Sequence, residues 1–186
     1  LEAMLAARKL EEAKIFDLNE ERCKAFAEQM QEELASYGAK ILPAASSDEC
    51  IEDADLIITV TPSPKPVFDG TKVKAGATIS CVGTYEPHKH EMDPAILPRA
   101  SKIICDSKEA ALSETGDLLI PIADGIITED DIQGSLGDVI NGKIKGREND
   151  DEIIVYETVG VAAQDLVAAK VIYDKAVEAG KGLVWG

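Results

Sequence analysis

Short apolar segments alternating with helical ones predict an α/β fold built on a doubly wound, mainly parallel sheet. Three observations carry the prediction. Strand-like and helix-like stretches alternate along nearly the whole chain. The segment Asp55–Thr61 (DLIITVT) is nearly all apolar, as a strand covered on both faces is. Two long segments carry helical spacing and each stops at a glycine, Gly38 and Gly180. The 186 residues suit one ordinary domain, and no internal repeat or low-complexity tract divides them.

The elements follow in order. Leu1, Met4 and Leu5 lie on one helix face with nothing before them, so the chain is read as starting inside a helix, a piece whose upstream part is absent. AKIFD (Ala13–Asp17) is a short strand ending in an acid. Asn19–Gly38 is a long helix with an apolar stripe through Cys23, Phe26, Ala27, Met30 and Leu34. Ala39–Ala45 is a second strand, and Ser46–Ala54 holds a short helix capped by Ser46 or Ser47. After the strand Asp55–Thr61, the prolines Pro62, Pro64 and Pro66 impose a loop.

Gly76–Gly83 is the fourth strand, and Thr84–Ala100 a loop entering a short helix. Ser101–Asp106 is the fifth strand, followed by the short helix Ser107–Gly116. Asp117–Gly125 reads as a strand or extended linker, and Thr128–Lys143 as a helix containing Gly134 and Gly137. Ile153–Thr158 is a last strand, and Val159–Gly180 a last helix with Val161, Val167, Val171 and Val177 as core candidates.

Charge narrows the partners. Lys and Arg number 19 against 35 Asp and Glu, a net charge of −16, which repels phosphate backbones and anionic lipid. This argues against nucleic acid and membrane partners, and no apolar run is long enough for a membrane span. Cys23, Cys50, Cys81 and Cys105 are too scattered for a zinc site or a disulfide scaffold; they read as reduced thiols of a cytoplasmic protein.

In a doubly wound sheet, ligands sit at the carboxyl ends of the strands. That singles out Asp17, Thr59–Pro62, Val82–Tyr85 and Thr158–Gly160. An acid in Asp17's position accepts hydrogen bonds from an adenosine ribose; it equally fits a helix cap, with Glu20 in a capping box, or Asn19 alone does. No Arg or Lys stands at Leu18 or Asn19 to welcome a 2′-phosphate, so a dinucleotide here would be NAD rather than NADP. Thr59, Val60 and Thr61 end one strand with small hydroxyls. Val82, Gly83 and Thr84 end the next, where Gly83 permits close approach or a positive φ. Tyr85 is a candidate proton donor or a wall beside a nicotinamide, or else a surface tyrosine. Thr158, Val159 and Gly160 join the last strand to the last helix, whose N-terminus offers free N–H groups. His88 and His90 lack the further ligands a metal needs, and no metal site is expected.

Read together, several segments resemble the ornithine cyclodeaminase/mu-crystallin family. They are LEAMLAARKLEEAKIFD, DADLIITVTPSPKPVF, CVGTYEPHKHEMD, GDLLIPIADG, GSLGDVINGKIKGR and YETVGVAAQDLVAAKVIYDKA, in the family's order over nearly all of the chain. The resemblance implies a Rossmann-like cofactor domain that begins after the family's glycine loop. Residues 1–186 would then be an incomplete NAD(P)-binding domain lacking its first strand, with two sheet edges open. Residues 152–186 would pack toward an absent N-terminal domain that forms a homodimer and grips the substrate.

The implied chemistry is hydride transfer between the α-carbon of an amino acid or cyclic imino acid and a nicotinamide. Asp17, with Leu18 and Asn19 beside it, matches the ribose contact. Thr59 to Thr61 match the wall along the cofactor, and Val82 to Thr84 the neighbouring tip. Thr158 to Gly160 match the neighbours of the nicotinamide. Tyr85 stands where cyclodeaminases place an aspartate. A phenol with an ordinary pKa of about 10 does not replace a carboxylate base at neutral pH. The expectation is therefore a ketimine reductase or amino-acid dehydrogenase. The alternatives are a cyclodeaminase proper and a non-catalytic mu-crystallin-like ligand binder.

Overall fold

The computed structural model describes residues 1–183 and 185; within the segment 152–186, Val184 and Gly186 lie outside the described residues. The chain opens with α1 (Glu2–Ala7), β1 (Glu12–Ile15), α2 (Glu20–Glu33) and β2 (Lys40–Pro43). Next come α3 (Ser47–Ile51), β3 (Leu56–Thr59), β4 (Thr78–Cys81) and β5 (Lys102–Cys105). It closes with α4 (Lys108–Glu114), α5 (Gly116–Ala123), β6 (Ile132–Ser135), α6 (Leu136–Ile140), β7 (Ile154–Glu157) and α7 (Ala162–Glu178). Every strand pairing is parallel. The strands form a two-stranded sheet, β1-β2, and a five-stranded sheet in the order β3-β4-β7-β5-β6.

Each sheet has its own core. Ile57, Ile79, Ile103, Ile132 and Val155 of the larger sheet pack with Met92, Ile96 and Leu118. The smaller sheet buries Ile41 with Leu5, Ala27, Leu34 and Ala39. In α2 the expected stripe buries Cys23, Ala27 and Leu34, while Met30 is half-buried and Phe26 exposed. Helix α3 joins the two units. Its Ile51 belongs to the larger core, its Cys50 thiol donates to the Lys14 carbonyl at 3.4 Å, and Lys14 Nζ donates to the Glu49 carbonyl at 3.2 Å. No ladder joins β1 to β3, so among the described residues each has a strand on one side only.

Three expectations change. Asp117–Gly125 is not extended: α5 begins where the Thr115 hydroxyl accepts the Asp117 N–H at 3.2 Å. Leu118 and Pro121, three apart, are buried on its inner face, a helical spacing hidden in an apolar run. Thr128–Lys143 is not one helix: Ile132–Ser135 is β6 on β5, and Ser135 and Asp138 cap each other to start α6. Gly134 (φ +155°) is a poor helix residue but suits the register shift in that pairing. The α7 valines do not form a core: Val167, Val171 and Val177 are 64%, 47% and 59% exposed, and Val161 is half-buried. Nothing among the described residues lies over that face of α7.

Candidate functional site

Register places the site. Thr59 pairs with Cys81, Cys81 with Glu157, Glu157 with Cys105, and Cys105 with Ser135. These are the last residues of the five strands, so their side chains share one face in a row across the sheet. The next residues of each strand emerge together at its carboxyl tip: Val60–Thr61, Val82–Thr84, Asp106 and Thr158–Gly160. Alternation buries Thr59 and Cys81 and exposes Val60 and Val82.

Two carboxylates absent from the sequence-based list tie these tips together. Buried Glu91 accepts the Gly83 N–H on Oε1 at 2.7 Å; its Oε2 accepts the Thr61 N–H and the Thr61 hydroxyl, each at 2.7 Å. A Cβ on Gly83 would stand 2.1 Å from the Thr61 carbonyl oxygen, so glycine is required there for close approach rather than for φ. Thr84 is buried beside them and its hydroxyl accepts the Glu91 N–H at 3.2 Å. Asp106 Oδ2 accepts the Thr158 hydroxyl at 2.6 Å and the Gly160 N–H at 2.7 Å. Gly160 does need its positive φ of +94°, and the space over its α-carbon is open. Open space at Gly160, close backbone approach at Gly83 and exposed apolar Val60 and Val82 stand at the tips of neighbouring strands.

The row itself carries a second acidic feature. Glu157 Oε1 accepts the Thr115 hydroxyl at 3.0 Å, and Asp117 Oδ1 accepts the Met92 N–H at 2.8 Å. Both residues are fully buried, and their other oxygens have no partner among the described residues. With the Cys81 thiol they converge to within 4.8 Å of one another. Burial first, then the Asp117 charge, pushes the Glu157 carboxyl well above its usual range; burial also raises Asp117, against the Met92 N–H. Burial likewise raises the Cys81 thiol, and holds Cys105 at about 12. All four cysteines are free thiols. Glu157 had a signal in the sequence: it is the one charge inside an otherwise apolar strand.

Asp17 lies past β1, on the smaller sheet, and makes no hydrogen bond to the tips of the larger one. Asn19 is the cap of α2, its side chain accepting the Arg22 N–H at 2.9 Å. Asp17 receives the Asn19 N–H at 2.7 Å and a bidentate Arg22 guanidinium, and these hold its carboxyl below the usual range. Leu18 is exposed. Tyr85 is 64% exposed at a small crevice that it lines with Pro62, Gly83, Glu86 and Lys89. His88 is exposed and reaches Glu86 at 3.4 Å. The structure thus brings together Thr59–Thr61, Val82–Thr84 and Thr158–Gly160, and leaves Asp17–Asn19 on a separate unit.

Comparison with known proteins places this geometry. The model of the ornithine cyclodeaminase/mu-crystallin family matches residues 1–180. A Δ1-pyrroline-2-carboxylate reductase of Bacillus cereus is 40% identical over 97% of this chain and 54% of its own length. The structure of the Thermococcus litoralis Δ1-pyrroline-2-carboxylate reductase in complex with NADH and L-proline superposes with a TM-score of 0.92 at 35% identity, over 98% of this chain and 55% of that one. An archaeal alanine dehydrogenase dimer with bound NAD superposes at 0.86 and 31% identity, over 98% and 54%. The chain therefore spans about half the length of the relatives it matches. Within that span its Rossmann-like parallel sheet and its sequence agree: the chain belongs to the ornithine cyclodeaminase/mu-crystallin family.

Proposed function

We propose that this chain is the cofactor-holding portion of an NAD(P)-dependent enzyme that interconverts an amino acid with its cyclic imine or keto acid, as a ketimine reductase or amino-acid dehydrogenase. The observation that carries the reading is the pair of carboxylate ties at the strand tips, Glu91 on Thr61 and Gly83 and Asp106 on Thr158 and Gly160, in a chain whose fold superposes on a relative holding NADH and L-proline. A bound nicotinamide supplies or accepts the hydride. The chain's own work is to hold and orient it.

Asp17, with Leu18 and Asn19, takes the adenosine ribose. Thr59, Val60 and Thr61 line the cofactor, and Val82, Gly83 and Thr84 fix its middle. Thr158, Val159 and Gly160 stand beside the nicotinamide, where open space over Gly160 admits a flat ring. Tyr85, exposed at its crevice, is the shape-setting wall or proton donor at the substrate end.

The substrate-gripping groups and the homodimer contact belong to the other half of the protein. The open sides of β1 and β3 and the uncovered apolar face of α7 are where residues 1–186 meet it. The free thiols support a cytoplasmic setting. The test follows oxidation of reduced cofactor by the whole protein with Δ1-pyrroline-2-carboxylate and with pyruvate plus ammonia, and ammonia release from ornithine in the presence of catalytic NAD. Oxidation of reduced cofactor on the first or second supports the reading. Turnover of ornithine alone makes it a cyclodeaminase, and cofactor binding with no turnover makes it a ligand binder.

A further inference from the structure

Two buried carboxyls stand directly behind the tips read as the nicotinamide end. Glu157 is the last residue of β7, one before Thr158, and Asp117 lies on the first turn of α5. Each has one oxygen already held: the Thr115 hydroxyl donates to Glu157 Oε1 at 3.0 Å, and the Met92 N–H to Asp117 Oδ1 at 2.8 Å. Glu157 Oε2 and Asp117 Oδ2 have no partner among the described residues, and the two carboxyls come within 4.8 Å of each other.

The groups around the pair do not neutralise it. Cys81 faces it from β4, Cys105 and Asp106 from β5, and His90 and Glu91 from the loop after β4. Glu91 is engaged by Thr61 and Gly83. Lys108 of α4 faces Cys105, but its Nζ is held by the Glu129 and Ile132 carbonyls. Two carboxylates this close in a dry interior repel strongly, and one retained proton relieves the repulsion. The pair then has two charge states, singly negative with its proton and doubly negative without. Both residues are fully buried, so they act on the tips by their field rather than by contact, and salt screens that field little.

A nicotinamide ring also has two charge states, neutral when reduced and positive when oxidised. We infer that the Glu157–Asp117 pair senses this charge: it releases its proton when the oxidised ring binds and keeps it when the reduced ring binds. The inference rests on the nicotinamide reading above and adds to it a coupling between a buried proton and the redox state of the bound cofactor. The sign follows from linkage. Losing the proton strengthens attraction to the oxidised ring only, so the affinity for oxidised nucleotide rises with pH between the pair's proton affinity in the complex and its higher value without nucleotide.

The experiment titrates the whole protein calorimetrically with the oxidised and reduced forms of NAD and of NADP. Two buffers of different ionisation enthalpy count the protons released, from about pH 5 to about pH 9. The expected result is release of up to about one proton per oxidised nucleotide and almost none per reduced one. The oxidised form then tightens about tenfold as pH rises, while the reduced form stays within about threefold. Glu157→Gln abolishes the release and flattens that profile. Asp117→Asn, which removes the charge that helps Glu157 keep its proton, moves the rise to lower pH. The proton count on the unaltered protein needs no variant to fold. Equal counts for oxidised and reduced nucleotide overturn the coupling and leave the nicotinamide reading intact. Release that persists unchanged in both variants belongs to other groups and overturns the pair's role. Failure of all four nucleotides to bind overturns this inference and the reading under it together.

Discussion

The two ends of the proposed cofactor cleft are built in opposite ways. At the larger sheet, the tips are held by buried or half-buried carboxylates, with each oxygen of Glu91 and the Oδ2 of Asp106 receiving short hydrogen bonds. At the smaller sheet, the corresponding acid, Asp17, sits in an exposed ion pair with Arg22. The first arrangement fixes backbone in place, because removing a buried acceptor leaves donors stranded. The second holds only the Asn19 N–H within its own turn, and its guanidinium partner is exposed. The same residue type, an acid just past a strand, thus ties a neighbouring strand's tip at Asp106 and pairs within its own helix start at Asp17.

Changes at the riveted end should have the largest effects. Gly83→Ala drives a methyl group against the Thr61 carbonyl oxygen, and urea denaturation should show a loss of about 3 kcal/mol or failure to fold. An undiminished denaturation midpoint would mean that the Thr61–Gly83 junction is not tight. Glu91→Ala strands three half-buried donors and should cost about 2 kcal/mol, with Glu91→Gln losing less because its amide oxygen still accepts.

Glu157 works in the other direction. Its folded-state pKa lies above the ordinary 4.5, so the folded state binds its proton more tightly than the unfolded state does. Its contribution is therefore most favourable below about pH 4.5 and falls as pH rises through the interval up to the raised value. Glu157→Gln should remove that slope and gain about 1 kcal/mol at neutral pH; thermal melts across pH read both. A variant with the wild-type slope would assign the pH dependence to Asp117 instead. The smallest structural effect belongs to the smaller sheet: Arg22→Gln, which breaks an exposed ion pair, should leave the melting temperature where it was. A lowered melting temperature would erase the contrast between the two ends.

Much of this was legible in the sequence. Every strand of both sheets except β6 follows from apolar runs, and the three tips of the larger sheet follow from the rule that ligands sit at carboxyl ends. The misreadings share a cause. Local pattern does not show what lies opposite: β6 looked helical until β5 offered it a ladder, and the α7 valines looked buried although nothing among the described residues covers them. The ties were hidden by distance along the chain. Glu91 acts on a residue 30 positions earlier, and Asp106 on residues 52 and 54 positions later. The Arg22 contact is only five residues away, but it exists because a helix begins between the partners.

The open flanks of β1 and β3 have a practical consequence. Each presents a line of peptide groups with no neighbouring strand among the described residues, the geometry to which any extended polypeptide adheres. Handled by itself at high concentration, this stretch of chain should self-associate edge to edge. Light scattering that rises with protein concentration, and falls when a peptide able to dock there is added, would register that adhesiveness directly.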